Sequence, residues 1–204
     1  MNLLDFRSEL AAISCDVELQ DFCQRTVIHG MPFAFHSREE ELFKFKKRIC
    51  QQFNIHHTEV FIVGSAKLGF SPHKGTEFSL DSDIDVAIVS ENLWENVYCS
   101  AAELEHSMRT SMISLHSHQY SSYVKFLRYC AIGWMRPDKI PNVAPMKKFK
   151  QDWFDFFGSI SHGRSEVGNY KVSAGVFRSQ QHLETYTIRA LENVRNSIRV
   201  DQAA

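Results

Sequence analysis

Asp83 and Asp85 stand one residue apart in Asp81-Ser82-Asp83-Ile84-Asp85-Val86-Ala87-Ile88-Val89, and Val63-Gly64-Ser65-Ala66-Lys67-Leu68-Gly69-Phe70 precedes them. Side chains alternate across a strand, so the two aspartates share one face while Ile84 and Val86 take the other. Residues so spaced lie roughly 7 Å apart at Cα. Their carboxylates can still converge on a hard cation such as Mg2+ or Mn2+, which favours oxygen ligands and clamps a phosphoryl transfer. Upstream, Gly64 lets the backbone approach a phosphate chain, and the Ser65 hydroxyl with nearby amides can donate to its oxygens. These residue types suit metal-assisted chemistry on a nucleoside triphosphate.

Positioning them requires two buried strands and a helix. Phe61-Ile62-Val63 and Val86-Ala87-Ile88-Val89 are short apolar runs, rich in β-branched residues, of the kind that form such strands. Before them, Ser37-Arg38-Glu39-Glu40 places an acid three residues after a serine, a pattern that predicts a capping box and a helix start. Leu42, Phe45, Ile49 and Phe53 then recur at helical spacing, with Lys44, Lys46, Lys47 and Arg48 on the remaining surface.

Apolar strand, Gly64-Ser65, then the strand Ser82-Asp83-Ile84-Asp85 resembles the DNA polymerase beta type nucleotidyltransferase superfamily. The resemblance implies a mixed α/β (α+β) fold with a small twisted sheet flanked by helices and a palm-like core. It implies Asp83 and Asp85 as catalytic, magnesium-binding carboxylates. It also implies Gly64, Ser65 and Ser82 beside the nucleotide; apart from the resemblance, Lys67 or Lys74 could reach phosphate from the following loop, where an exposed lysine is otherwise merely solvated. The expected reaction moves a nucleoside monophosphate from a triphosphate, ATP by default, to a hydroxyl. The acceptor, whether a protein side chain, an RNA end, a small molecule or another nucleotide, is not named by the residues, and a partner protein could carry it.

Two departures qualify that expectation. Seventeen residues separate Ser65 from Asp83, and the insert Ser71-Pro72-His73-Lys74-Gly75-Thr76-Glu77-Phe78 reads as a turn-rich loop able to cover the site. Active members of the superfamily usually draw a third carboxylate from a later strand. The matching segment, Tyr170-Lys171-Val172-Ser173-Ala174-Gly175-Val176-Phe177, has no acid, so Ser173 or Gly175 stands where one is expected. Three readings follow: a third strand elsewhere, a catalyst with two carboxylates, or a nucleotide-binding sensor or partner subunit that transfers nothing. Of the other acids, Glu166, Glu184, Asp152 and Asp155 lie nearest in the chain, and the last two sit beside Lys147, Lys148 and Lys150 in a mixed-charge stretch.

The 204 residues read as one domain: an N-terminal helical segment over 1–36, the core over 37–90, then helices, a late strand and a terminal helix over 91–204. Early apolar residues, Leu3, Leu4, Phe6, Leu10, Ile13, Val17 and Leu19, predict one helix before a break at Gly30-Met31-Pro32. Leu93 to Ala131 reads as helical, and Leu183, Tyr186, Ala190, Leu191, Val194 and Ile198 form the stripe of a last helix. The 23 lysines and arginines against 24 acids leave a net charge of −1, which argues against gripping duplex DNA and fits RNA ends or small nucleotides better. No apolar run of about 18 residues suggests a membrane span, and Asp5 interrupts any signal-like start, so a cytoplasmic protein is expected. Five scattered cysteines, without a Cys-x-x-Cys pair, read as reduced core residues. The ten histidines, including His56-His57 and His116-Ser117-His118, lack partners at metal-ligand spacing.

Overall fold

Alternation builds the sheet as the sequence expects. In the computed structural model, which describes residues 1–203, Asp83–Val89 forms a strand whose Ile84, Val86 and Ile88 are buried while Asp83 and Asp85 stay partly exposed on the opposite face. Chain order runs α1 (Leu3–Ala12), α2 (Asp16–Phe22), a π-helical turn (Cys23–Ile28), α3 (Glu39–Phe53), β1 (Val60–Val63), α4 (Gly64–Leu68), β2 (Phe70–Ser71), β3 (Thr76–Glu77) and β4 (Asp83–Val89). Then follow α5 (Glu91–Arg109), α6 (Ser117–Cys130), β5 (Trp134–Met135), α7 (Lys147–Ser159), β6 (Lys171–Phe177) and α8 (Gln180–Ala203). The fold is therefore mixed α/β, with eight α-helices among the described residues, one four-stranded sheet and a separate two-stranded hairpin. None of those helices is long and apolar enough to cross a membrane.

The main sheet has the order β1-β4-β6-β5, with β4 antiparallel to β1 and parallel to β6. One face packs Val60, Ile62, Ile84, Val86, Ile88, Val172 and Val176 against α3, α5, α6 and α7, closing the principal core around Phe45, Ile49, Phe126 and Trp153. The other face carries the acids at one end and Ala87 and Phe177 at the other, where Leu183 of α8 covers them. A second core forms where Phe6, Leu10, Leu19 and Phe22 of α1 and α2 meet Leu191, Val194 and Ile198 of α8.

Several local expectations are corrected. The early helix is two helices and a π-helical turn, with Leu4 and Val17 exposed rather than on its buried stripe. Its break at Ile13-Ser14-Cys15 is held by Glu18, which accepts from the Ser14 amide at 2.8 Å. Helix α3 exists, but the Ser37 capping box does not: Arg38 is the N-cap residue and Ser37 has φ +57°. Arg38 instead donates to the Glu166 carbonyl at 2.7 Å, and that distant bond overrides the local capping pattern. Cys23 and Cys130 are buried core residues with thiols pushed up to about 12 by burial, whereas Cys15 and Cys99 are exposed, so the core assignment fails for these two.

Candidate functional site

Antiparallel pairing of β1 with β4 sets Val63 opposite Asp85, so the chain leaves β1 at Gly64 beside that carboxylate. Gly64 has φ +66°, and a Cβ there would sit 2.9 Å from Asp85 Oδ2, so both the backbone conformation and the close approach require glycine. The expected Gly-Ser turn is the first part of the short helix α4. Its end is a second left-handed residue, Gly69 at φ +86°, whose amide donates to the Ser65 carbonyl at 2.8 Å.

Parallel pairing of β4 with β6 completes the arrangement, placing Lys171 beside Asp83 and Ser173 beside Asp85. Lys171 Nζ donates to Asp83 Oδ2 at 2.9 Å, and Ser173 Oγ donates to Asp85 Oδ1 at 2.6 Å. Burial pushes the Asp85 carboxyl above the ordinary carboxylate range and the Asp83 charge adds to that, while the Ser173 hydroxyl, Lys171 and Lys74 pull it down.

Asp85, Lys171 and Ser173 open onto a cleft of about 920 Å³ between the sheet and α8, and Asp83 lies beside it. Gly64, Asp85 and Ser173 line one part, and Trp134, Arg136 and Tyr186 another. A Cβ at Gly175 would lie 2.6 Å from Trp134 Nε1, so this glycine admits the indole over the sheet. Arg136 forks onto Asp138 with two bonds of 3.0 Å, and its guanidinium lies 5.3 Å from the Trp134 ring centroid. His162 also lines the cleft, as does His73 of the hairpin loop.

The expected site residues divide. Gly64, Asp83 and Asp85 come together, and Ser65 follows Gly64 at the start of α4. Ser82 sits in the turn leading into β4, where its Oγ accepts from the Ser79 amide at 3.1 Å. Lys67 does not lie in a phosphate-facing loop: it is 6% exposed, in α4, and its ammonium donates to the carbonyls of His29 and Gly30. The proposed covering loop is the β2-β3 hairpin, with Lys74 exposed at its turn. Neither Glu166, bound by Arg48, nor Asp152, bound by Lys148, lines the cleft. Lys171 and Ser173 are the neighbours that matter; the sequence marks Ser173 only as standing where an acid is expected and Lys171 only as a member of the late strand, since its register with β4 is set by tertiary pairing.

Asp83 and Asp85 are oxygen donors of the kind a hard divalent cation takes. One oxygen of each carboxylate is already engaged by β6, and no group of three or more His, Cys, Asp or Glu among the described residues is placed to hold a metal. Comparisons with protein-family models, with characterised proteins and with solved structures find no match for this chain.

Proposed function

We propose that this chain is a nucleotidyltransferase that moves a nucleoside monophosphate from a nucleoside triphosphate, ATP by default, onto a hydroxyl acceptor. The observation that carries the reading is the seating of the Asp85 carboxylate against Gly64, with Asp83 in phase beside it, at a cleft of about 920 Å³. The chemistry balances as follows: the acceptor oxygen forms a bond to the α-phosphorus, and the bond from that phosphorus to the α,β-bridging oxygen breaks. Pyrophosphate leaves, and the hydroxyl proton goes to solvent. Asp83 and Asp85 would hold one Mg2+ or Mn2+, which supplies positive charge to the phosphates as they react. Gly64 gives the triphosphate close access to the backbone, and Ser65 is a hydroxyl donor at the same turn. Lys67, bound elsewhere, is no longer part of the proposed site.

A second reading, nucleotide binding without transfer, is favoured by one observation: β6, the late strand expected to supply a third carboxylate, carries Ser173 beside Asp85 and no acid. Loss of a general base costs roughly 10²–10⁴ in rate. The test is incubation of the purified protein with α-labelled nucleoside triphosphates, Mg2+ or Mn2+ and cell extract, beside Asp83→Asn/Asp85→Asn. Label moved to an acceptor by the unsubstituted protein alone is the expected result. Metal-dependent nucleotide binding with no transferred label assigns the chain to the second reading, and no binding at all removes both.

A further inference from the structure

We propose that Lys171 takes the place of a second metal ion, its ammonium supplying from β6 the positive charge that a third carboxylate would otherwise recruit as metal. This rests on the reading of Asp83 and Asp85 as a cation and nucleotide site. Three features of the strand pair point to it. The parallel register puts Lys171 directly beside Asp83 and Ser173 directly beside Asp85, all four on one face of the sheet, and Asp85, Lys171 and Ser173 line the cleft. The ammonium already lies 2.9 Å from Asp83 Oδ2, within the sphere a neighbouring ion would need. Ser173 takes Asp85 Oδ1 at 2.6 Å, so Asp83 Oδ1 and Asp85 Oδ2 are left to share one ion.

Charge accounting agrees with that geometry. Two carboxylates, one ammonium and one divalent cation carry the same single net positive charge as three carboxylates with two divalent cations. A phosphate chain therefore meets the same overall charge in either arrangement. Lysine can fill this role because its charge is a point at the end of a flexible four-carbon stem. The Lys171 side chain is 58% exposed, and its ammonium has three donors, so it can reach an incoming phosphate oxygen while keeping Asp83 Oδ2. An ordinary exposed ion pair is worth only about 0–1 kcal/mol, so stability alone gives little reason for a lysine at this register position.

The experiment counts ions. Mn2+ is titrated by electron paramagnetic resonance against the protein with the α,β-methylene analogue of ATP, subtracting an analogue-only control. One Mn2+ per chain is expected for the unsubstituted protein, none for Asp83→Asn/Asp85→Asn, and two for Lys171→Asp, which completes a set of three carboxylates. Lys171→Met is expected to weaken analogue binding by about tenfold, or 1.4 kcal/mol, and Lys171→Arg to restore most of it, a rescue that circular dichroism checks on folded protein. Two Mn2+ bound by the unsubstituted protein would overturn the inference while keeping the nucleotide reading, and so would unchanged affinity in Lys171→Met. Binding of neither ion nor analogue by the unsubstituted protein would overturn that reading and the inference with it. The unsubstituted ion count depends on no variant, so a misfolded substitution cannot hide the answer.

Discussion

Asp85 is the residue where stability and function oppose each other. Its carboxyl is raised by burial, so the folded chain holds the proton more tightly than the unfolded chain does. For such a group the favourable contribution is complete below the unfolded value, near 3.8, and is lost as pH rises through the raised folded value. Asn cannot ionise and so escapes that loss. Asp85→Asn is therefore expected to be more stable than the unsubstituted chain at neutral pH, while losing cation binding. Urea denaturation across a pH series checks this: the gap between the two should shrink as pH falls, and a gap independent of pH would refute it. The residues of this site were only partly legible in the chain. Asp83, Asp85 and Gly64 declare themselves through strand alternation and glycine chemistry, both local properties. Lys171 does not, and Ser173 only as a residue in an acid's place, because the role of each depends on which residue of β4 it faces, and only the folded register decides that.

Helix α4 shows how an element can be found in the sequence and still be misread. Lys67 follows Gly64-Ser65 in a stretch that suggests a loop, where a lysine would be solvated or would reach phosphate. Two left-handed glycines, Gly64 and Gly69, instead bound one helical turn, and Ala66 and Lys67 turn inward. The Lys67 ammonium caps carbonyls just after the π-helical turn, donating to Gly30 at 2.7 Å and also to His29, and so ties the N-terminal helices to the Gly64-Ser65 segment. Lys67→Met keeps the aliphatic packing and removes those bonds, and leaving buried acceptors without a donor costs about 1–3 kcal/mol. The expected outcome is a lower urea midpoint at unchanged slope and faster amide exchange over residues 23–30, with the nucleotide Kd of the folded protein retained. Unchanged stability would mean that dehydration of the ammonium cancels its two bonds. The strands legible in advance, β1, β4 and β6, are those of four to seven residues with at least two β-branched residues spaced along them. The two-residue strands β2, β3 and β5 carry no alternation long enough to register, and Thr76 and Glu77 are exposed, so no burial pattern marked them.

At the scale of the molecule, α8 is the member that joins the parts. Leu183 near its start covers the face of the sheet that carries the carboxylates, Tyr186 lines the cleft, and Leu191, Val194 and Ile198 pack on α1 and α2. The N-terminal helices therefore support the roof of the site without touching its carboxylates. Phe6, Leu10, Leu19 and Phe22 are each no more than 2% exposed in that second core. Full burial of each such side chain contributes roughly 1.5–3 kcal/mol, so losing all four is comparable with the whole stability of a typical domain, about 5–15 kcal/mol. Removing residues 1–22 is expected to abolish a single cooperative unfolding transition and to expose the apolar stripe of α8, detected as increased binding of a hydrophobic dye. The milder Phe6→Ala, which opens a cavity but keeps the helices, is expected to cost about 3–5 kcal/mol with one transition preserved. If the shortened chain unfolds cooperatively at the original midpoint, α8 holds its place over the sheet through Leu183 and its neighbours alone, and the support assigned to α1 and α2 is wrong.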